Sequence, residues 1–429
     1  MNIIEQGKEF VQSLMQLARR SAWDWRRCPY CGDMPSCKHG TYARHPWYFW
    51  GRRVVLVQRY RCKGCRRTYS ERSPFLVRGS WYARGVHRLA IDHWQHMGSS
   101  LRRTAELVRS LLGKQERWRL WHPLDEVPPE EEHCHLSAST VHRWLDRAGR
   151  EAQRTVRGQL AGVQTSGQVC ADGLWARLKG GTKRVVLLLV DCVTGVVWPP
   201  VVVQEEESER SWGQLFERAQ RAGLDLDALR GVVSDGSHGL IGCLKRRLNW
   251  VNHQRCVWHL WRSLGPVLAR RAAKAAAGLA GEAAEVARDQ ARQALRALVA
   301  AALDAQSQAE AGAAQANLFA HPLCEGLERM IGQQMNAALV YLREYNRGLM
   351  RVGPEWRWRD FRLRLSRGRN HRSHRRLERA ALLWAVYRNF TPAQYRSERK
   401  RHYRHPGQSP LEVAGASPQG ISYLDALRV

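Results

Sequence analysis

The chain has 429 residues, enough for two or three domains with separate cores. Lys and Arg number 69 against 39 Asp and Glu, a formal charge of +30, and self-repulsion of that size opposes folding unless a polyanion such as nucleic acid is the partner. No run of about 18 apolar residues is present and the first twenty residues carry Glu5, Lys8 and Glu9, which argues against a membrane span or a secretory signal.

The charge is unevenly placed. Basic residues outnumber acidic ones 21 to 7 over residues 1–110 and 16 to 4 over 355–405, whereas 168–260 is nearly balanced. Eleven cysteines, an odd number without a leader, fit a reducing, cytoplasmic setting and metal ligation better than disulfides.

Cys28-Pro-Tyr-Cys31 and Cys62-Lys-Gly-Cys65 form two C-x2-C knuckles, the spacing with which paired turns hold a tetrahedral Zn²⁺. The β-rich run Val54–Tyr60 lies between them, so residues 1–80 are read as a zinc ribbon, with Cys37 and His39 as competing ligands. Residues 81–165 follow as a helix-turn-helix unit. Helices are predicted over 81–97 and 101–112, then a polar, Pro-rich insert at 128–132. A third begins at Ser137, burying Val141, Trp144 and Leu145 and turning Thr140, His142 and Arg143 outward. Such a helix presents polar residues to a DNA major groove. A plain amphipathic helix has the same pattern.

From Gln168 the pattern turns to strands. Runs at 168–176, 183–191 and 196–204 precede a helix at 208–222, a strand ending at Ser234-Asp235, and a short strand from His253 to His259. Three strands, a helix, a strand, a helix and a strand is the order of an α/β, RNase H-like fold, assigned here to 166–265. Asp172 lies mid-strand in an apolar segment, a costly place for a carboxylate without a metal or partner. Asp235 ends the fourth strand, which neighbours the first in that fold. Converging carboxylates repel unless a divalent cation sits between them. The Ala-rich stretch from 268 to about 316 reads as a helical insertion (266–350), and 351–405 as a basic segment with a last catalytic helix. In that segment Arg357, Arg359, Arg362, Arg364, Arg367, Arg369 and Arg372 interleave with Trp356, Trp358 and Phe361. The aromatics could stack on exposed bases or fill a core with the arginines outside; spacing leaves both open. Residues 406–429 read as a tail.

The series Cys28/Cys31/Cys62/Cys65, Asp172-Gly173, Ser234-Asp235-Gly236 and Cys256-Val257-Trp258-His259 resembles bacterial insertion-sequence transposases of the DDE type. It is similar in particular to those sharing a C-x2-H signature with Mutator-like transposases. The resemblance spans roughly residues 25–410. It implies that Asp172 and Asp235 are the first two catalytic, Mg²⁺- or Mn²⁺-binding carboxylates, with Glu378 the third on a helix after the insertion and Glu328, Glu344 and Glu398 as competing candidates. The Thr-Asn pair often found before that Glu is replaced here by Ser373-His374. It also implies that Cys256 and His259 are the C-x2-H element, of structural or metal-binding role; His133, Cys134 and His135 are candidate partners. The implied activity is cleavage and strand transfer at transposon ends, with double-stranded DNA, both ends and target, as partner and a homodimer or higher oligomer as the working form. Thr140, His142, Arg143, Arg357, Arg359 and Arg362 are the expected DNA contacts. A transposase-derived regulator without catalysis and an RNase H-like nuclease that cuts without joining are the rival readings.

Overall fold

The computed structural model describes residues 27–32, 36–49, 51–71, 73–112, 134–204, 207–346, 348–354, 358–359, 361–362, 365, 371–392, 407–416 and 421–427. The polar insert at 128–132, His133, Trp356, Arg357, Arg364, Arg367 and Arg369 lie outside them. The chain divides into two compact units, residues 1–147 and 148–428. No helix among the described residues is long and apolar enough to cross a membrane.

In the first unit, β1 (Ser36–Arg44), β4 (Val55–Cys62) and β5 (Thr68–Ser70) form an antiparallel sheet in the order β1-β4-β5. The ladder β2 (Trp47–Tyr48) with β3 (Gly51–Arg52) sits in the connection. The long spacing between the knuckles is thus spent on a hairpin arm. So small a sheet buries little apolar surface. Its core is Tyr60 and Tyr69, stacked at 5.6 Å, packed with Cys28 and Cys62. Two helices follow, α1 (Arg84–Met97) and α2 (Leu101–Leu111), split by Gly98 in the left-handed region and by Ser100, which caps the second.

Helix α3 (Ala138–Leu160) starts where expected: Ser137 Oγ accepts from the Thr140 N–H at 3.2 Å. It runs to 23 residues. In its first turns Val141, Trp144 and Leu145 are buried, and Trp144 stacks on His87 at 3.9 Å.

The second unit is built on a five-stranded sheet of order β10-β9-β6-β7-β8. Strands β6 (Gln168–Arg177), β7 (Lys183–Asp191) and β8 (Val201–Val203) are antiparallel neighbours; β9 (Gly231–Ser234) and β10 (Asn252–Arg255) run parallel to β6. The elements come in the expected order, with two corrections. The strand expected over 196–204 is confined to 201–203, with only a bridge from Val197 to Val190 before it. Pro199 and Pro200 lack the N–H groups a ladder needs. The strand expected to reach His259 stops at Arg255, and α6 (Val257–Lys274) takes over, so His259 is helical. Helices α4 (Glu209–Arg221) and α5 (His238–Arg247) complete the strand connections.

The Ala-rich region is a helical insertion, made by the rest of α6 with α7 (Gly281–Leu303), α8 (Gln308–Phe319) and α9 (Glu328–Ala338) around a core that includes Leu264, Leu295, Val299 and Met335. After it comes α10 (His374–Phe390), which packs on β7 and β8. Gly149 of α3 lies so close to α10 that a methyl group there would overlap the Arg379 backbone.

Three buried or nearly buried side-chain amides bind backbone reciprocally, as a strand would. Gln254 donates to the Ala338 carbonyl and accepts from Tyr341 N–H. Gln168 does the same with Gly348 and Met350, and Asn389 with both backbone groups of Val197, at 2.7 and 2.9 Å.

Candidate metal and active sites

The four knuckle cysteines converge. Cys28 lies before β1, Cys62 ends β4 and Cys65 sits in the turn to β5. The Sγ pairs Cys28–Cys65 and Cys31–Cys62 are each 3.6 Å apart, and all four sulfurs lie within 4.8 Å of one another. Tetrahedral zinc with bonds of about 2.3 Å needs sulfurs about 3.8 Å apart, so the set could hold a structural Zn²⁺. Burial opposes ionisation of Cys28. The N–H groups of Cys31 and Tyr30 and the neighbouring thiols prevail and bring it to about 7. Cys37 stands outside the cluster on β1, bonded to the Arg61 carbonyl. Cys134 approaches the Tyr82 hydroxyl at 3.8 Å.

In the second unit, the parallel register pairs Cys170 of β6 with Val233 of β9. Asp172 and Asp235 are each two residues further on. Asp172 is still within β6 and Asp235 lies one residue past the end of β9, and the charges of both act on one neighbouring glutamate, Glu207. Asp172 is only 4% exposed. Its Oδ2 accepts from the indole N–H of Trp358 at 2.8 Å and from Arg362 at 2.7 Å. Asp235 is half-buried, with Oδ1 accepting from Ser237 N–H at 3.1 Å. Beside it, Ser234 Oγ and His253 Nε2 share a bond of 2.8 Å. Burial, helped by the Arg255 charge and opposed by Asp235, lowers His253 to about 4.

A third carboxylate, which the sequence reading did not single out, belongs to this group. Glu207 lies between β8 and α4, one residue before the capping Ser208. Its carboxylate rests on the backbone of Gly173, the residue after Asp172. Burial first, then the charges of Asp235 and Asp172, raise its pKa to about 7. Ser237 is near enough to temper that shift, although neither its hydroxyl nor Glu207 Oε2 makes a well-formed hydrogen bond. Among the described residues the four cysteines are the one group of three or more His, Cys, Asp or Glu whose ligand atoms are clustered closely enough to hold a metal ion as they stand.

A contrast with Asp191 is informative. That aspartate is fully buried on the same sheet, but Thr165, Ser166, Val193 and Thr194 supply five donor groups to its two oxygens. It is a structural anchor of the β6–β7 end. Glu207 has no such satisfaction.

Glu378 is placed on α10, where its Oε1 accepts from Arg218 of α4 at 2.5 Å. Cys256 is fully buried at the N-cap of α6, and His259 lies one turn on, against Trp258. Trp358 and Phe361 are core residues, Phe361 stacking on Trp384 at 4.6 Å. Arg359 is exposed, and Arg362 is turned onto Asp172. Arg143 is exposed and bonds Thr140, with His142 half-buried beside them.

Residues 200–278 match the family model of the Mutator-family transposases. The match runs from β8 through α6 and so contains Glu207, Asp235, Cys256 and His259, while Asp172 and Glu378 lie outside it. No curated protein matches the chain.

Proposed function

We propose that the chain is a DDE-type DNA transposase that binds transposon ends and cuts and joins DNA with a metal centre on Asp172 and Asp235. The observation that supports this reading is the β6–β9 register, which pairs Cys170 with Val233, two residues before Asp172 and Asp235 respectively, in the unit that contains the family match. The order β10-β9-β6-β7-β8, antiparallel on one side of β6 and parallel on the other, supports the RNase H-like assignment.

The residues suit divalent cations. A carboxylate oxygen of Glu207 is buried without a donor, and Gly173 leaves the room that Glu207 occupies. Mg²⁺ or Mn²⁺ held by such carboxylates supplies Lewis acidity for phosphodiester chemistry. The protein's own part is positional. Trp358 and Arg362 fix the orientation of Asp172, and the Ser237 N–H orients Asp235. Arg362 is also a cation beside the reacting region, where a phosphate can share it.

DNA recognition is assigned to the first unit, with Thr140, His142 and Arg143 at the start of α3 and a helix-turn-helix made with the preceding helices. Phosphate contacts from basic residues, the exposed Arg359 among them, supply affinity. Two ends must meet, which requires a dimer or larger assembly. By resemblance Glu378 is the third catalytic carboxylate. Its pairing with Arg218 gives it a structural occupation as well, and Glu378→Gln separates the two. Loss of cleavage in a stably folded variant keeps it in the chemistry; normal cleavage leaves it the partner of Arg218.

The deciding experiment incubates full-length protein with duplex carrying the inverted repeats that flank its gene. Asp172→Asn and Asp235→Asn should abolish Mg²⁺-dependent cleavage and spare end binding. Normal cleavage by both variants would falsify the catalytic reading.

A further inference from the structure

We propose that Glu207 is a metal-binding carboxylate of the same centre as Asp172 and Asp235. The inference rests on the reading of those aspartates given above and adds a ligand to it from a different part of the chain.

Two glycines make the case. At Gly173 a methyl group would overlap the Glu207 carboxylate, and at Gly239 one would overlap the Glu207 carbonyl and the Ser208 backbone. Gly239 lies in the first turn of α5, four residues after Asp235. The backbone of Glu207 is therefore seated against the turn that carries one aspartate, while its side chain is seated against the strand that carries the other. Neither glycine has a positive φ. What both positions demand is the absence of a side chain, so that another segment can approach.

The chemistry of the placement points the same way. Glu207 Oε2 is buried without a well-formed hydrogen bond, and the charges of two aspartates act on it. A buried acceptor left unpaired costs about 1–3 kcal/mol, and like charges add to it. A salt-bridge role would require a cation on Glu207, and among the described residues no ion pair involves it. Glu209, two residues on, by contrast pairs with Arg246 at 3.4 Å. A divalent cation satisfies all three carboxylates together.

The test is Mn²⁺ binding by the full-length protein, its cysteine site loaded with zinc, followed by electron paramagnetic resonance without DNA and without turnover. Glu207→Gln keeps the shape and removes the charge, and it should weaken Mn²⁺ at least about ten-fold, as Asp172→Asn does. Gly173→Ala should weaken Mn²⁺ in the parent protein and add little in the Glu207→Gln background, because both act on one carboxylate. Unchanged Mn²⁺ affinity in Glu207→Gln beside a weakened Asp172→Asn overturns the proposal and leaves the aspartate centre standing. An equal effect of Gly173→Ala in both backgrounds also overturns it. Unchanged affinity in Asp172→Asn removes the underlying reading itself. Circular dichroism of each variant separates lost ligation from lost fold, and Glu207→Asp, a carboxylate on a shorter arm, should recover part of the affinity if the variant Glu207→Gln fails to fold.

Discussion

Asp172 and Trp358 are 186 residues apart in the chain, yet the indole N–H of one donates to the carboxylate of the other at 2.8 Å. The helical insertion lies between them, so the segment that returns from it completes the surroundings of the first strand's aspartate. Trp358 is fully buried, and its ring fixes the carboxylate without offering it a proton.

Trp358→Phe removes that donor and retains most of the ring. Loss of a hydrogen bond to a charged group, plus some packing, should cost about 2–3 kcal/mol in denaturant unfolding, and cleavage should slow because Asp172 loses one of the donors that orient it. Unaltered stability would mean that the bond is idle.

Removing the zinc ligands should have a local effect. Cys62→Ser should lower bound zinc from about one per chain to none by elemental analysis, since three thiolates grip far less well than four. The Tyr60–Tyr69 stack shares its small core with Cys28 and Cys62, so proteolysis between residues 28 and 70 should accelerate. Retained zinc in that variant would contradict the four-cysteine site.

Asn389→Ala deprives both backbone groups of Val197, itself 1% exposed, of their partners. Two buried groups left unpaired should cost about 2–4 kcal/mol of unfolding free energy. A cost well below 1 kcal/mol would show that solvent reaches this edge.

His253 supplies a pH signature. Its folded pKa of about 4 lies below the ordinary 6.5, so between those values the unfolded chain binds the extra proton. Its contribution is complete above pH 6.5 and falls as pH drops toward 4, with a slope of up to about 1.4 kcal/mol per pH unit. In His253→Gln the fall over that window should be shallower than in the parent. Equal slopes would show that His253 protonates freely in the folded protein.

Much of this organisation is legible in the residues. The knuckle spacing leads to the sulfur cluster, the apolar run at 185–190 to a strand buried on both faces, and Ser137 to the start of α3. Asp172 and Asp235 stand out because one interrupts an apolar strand and the other ends one. Glu207 escapes notice because it closes the run Glu205-Glu206-Glu207, which reads as a solvated charge patch. The signal that could have found it is positional: it lies between the third strand and a helix cap, and Gly173 and Gly239 occur where a strand and a helix would ordinarily carry side chains. The roles of Trp358 and Arg362 had no local signature at all. Their alternation of Arg with aromatics fits either a core or a base-stacking face, and only tertiary contact with Asp172 distinguishes these. The end of β10 was overestimated because Cys256-Val257-Trp258 favours a strand by propensity, while the chain turns at Cys256 and buries Val257 and Leu260 on a helix.

The reciprocal amide bonds of Gln254 and Gln168 give the insertion an unexpected independence. The polypeptide departs from the sheet just after Gln254 and, on coming back, is gripped by that same side chain at Ala338 and Tyr341, then by Gln168 at Gly348 and Met350. Departure and re-entry are thereby fixed by residues of the sheet itself. Helix α9 packs back on β10, but doubling the length of a loop among the helices before it costs only about 0.6 kcal/mol of closure entropy. The helices from 281 to 319 are in that sense a cassette: a lineage could lengthen, trim or exchange them while the carboxylates on β6 and after β9 keep their places.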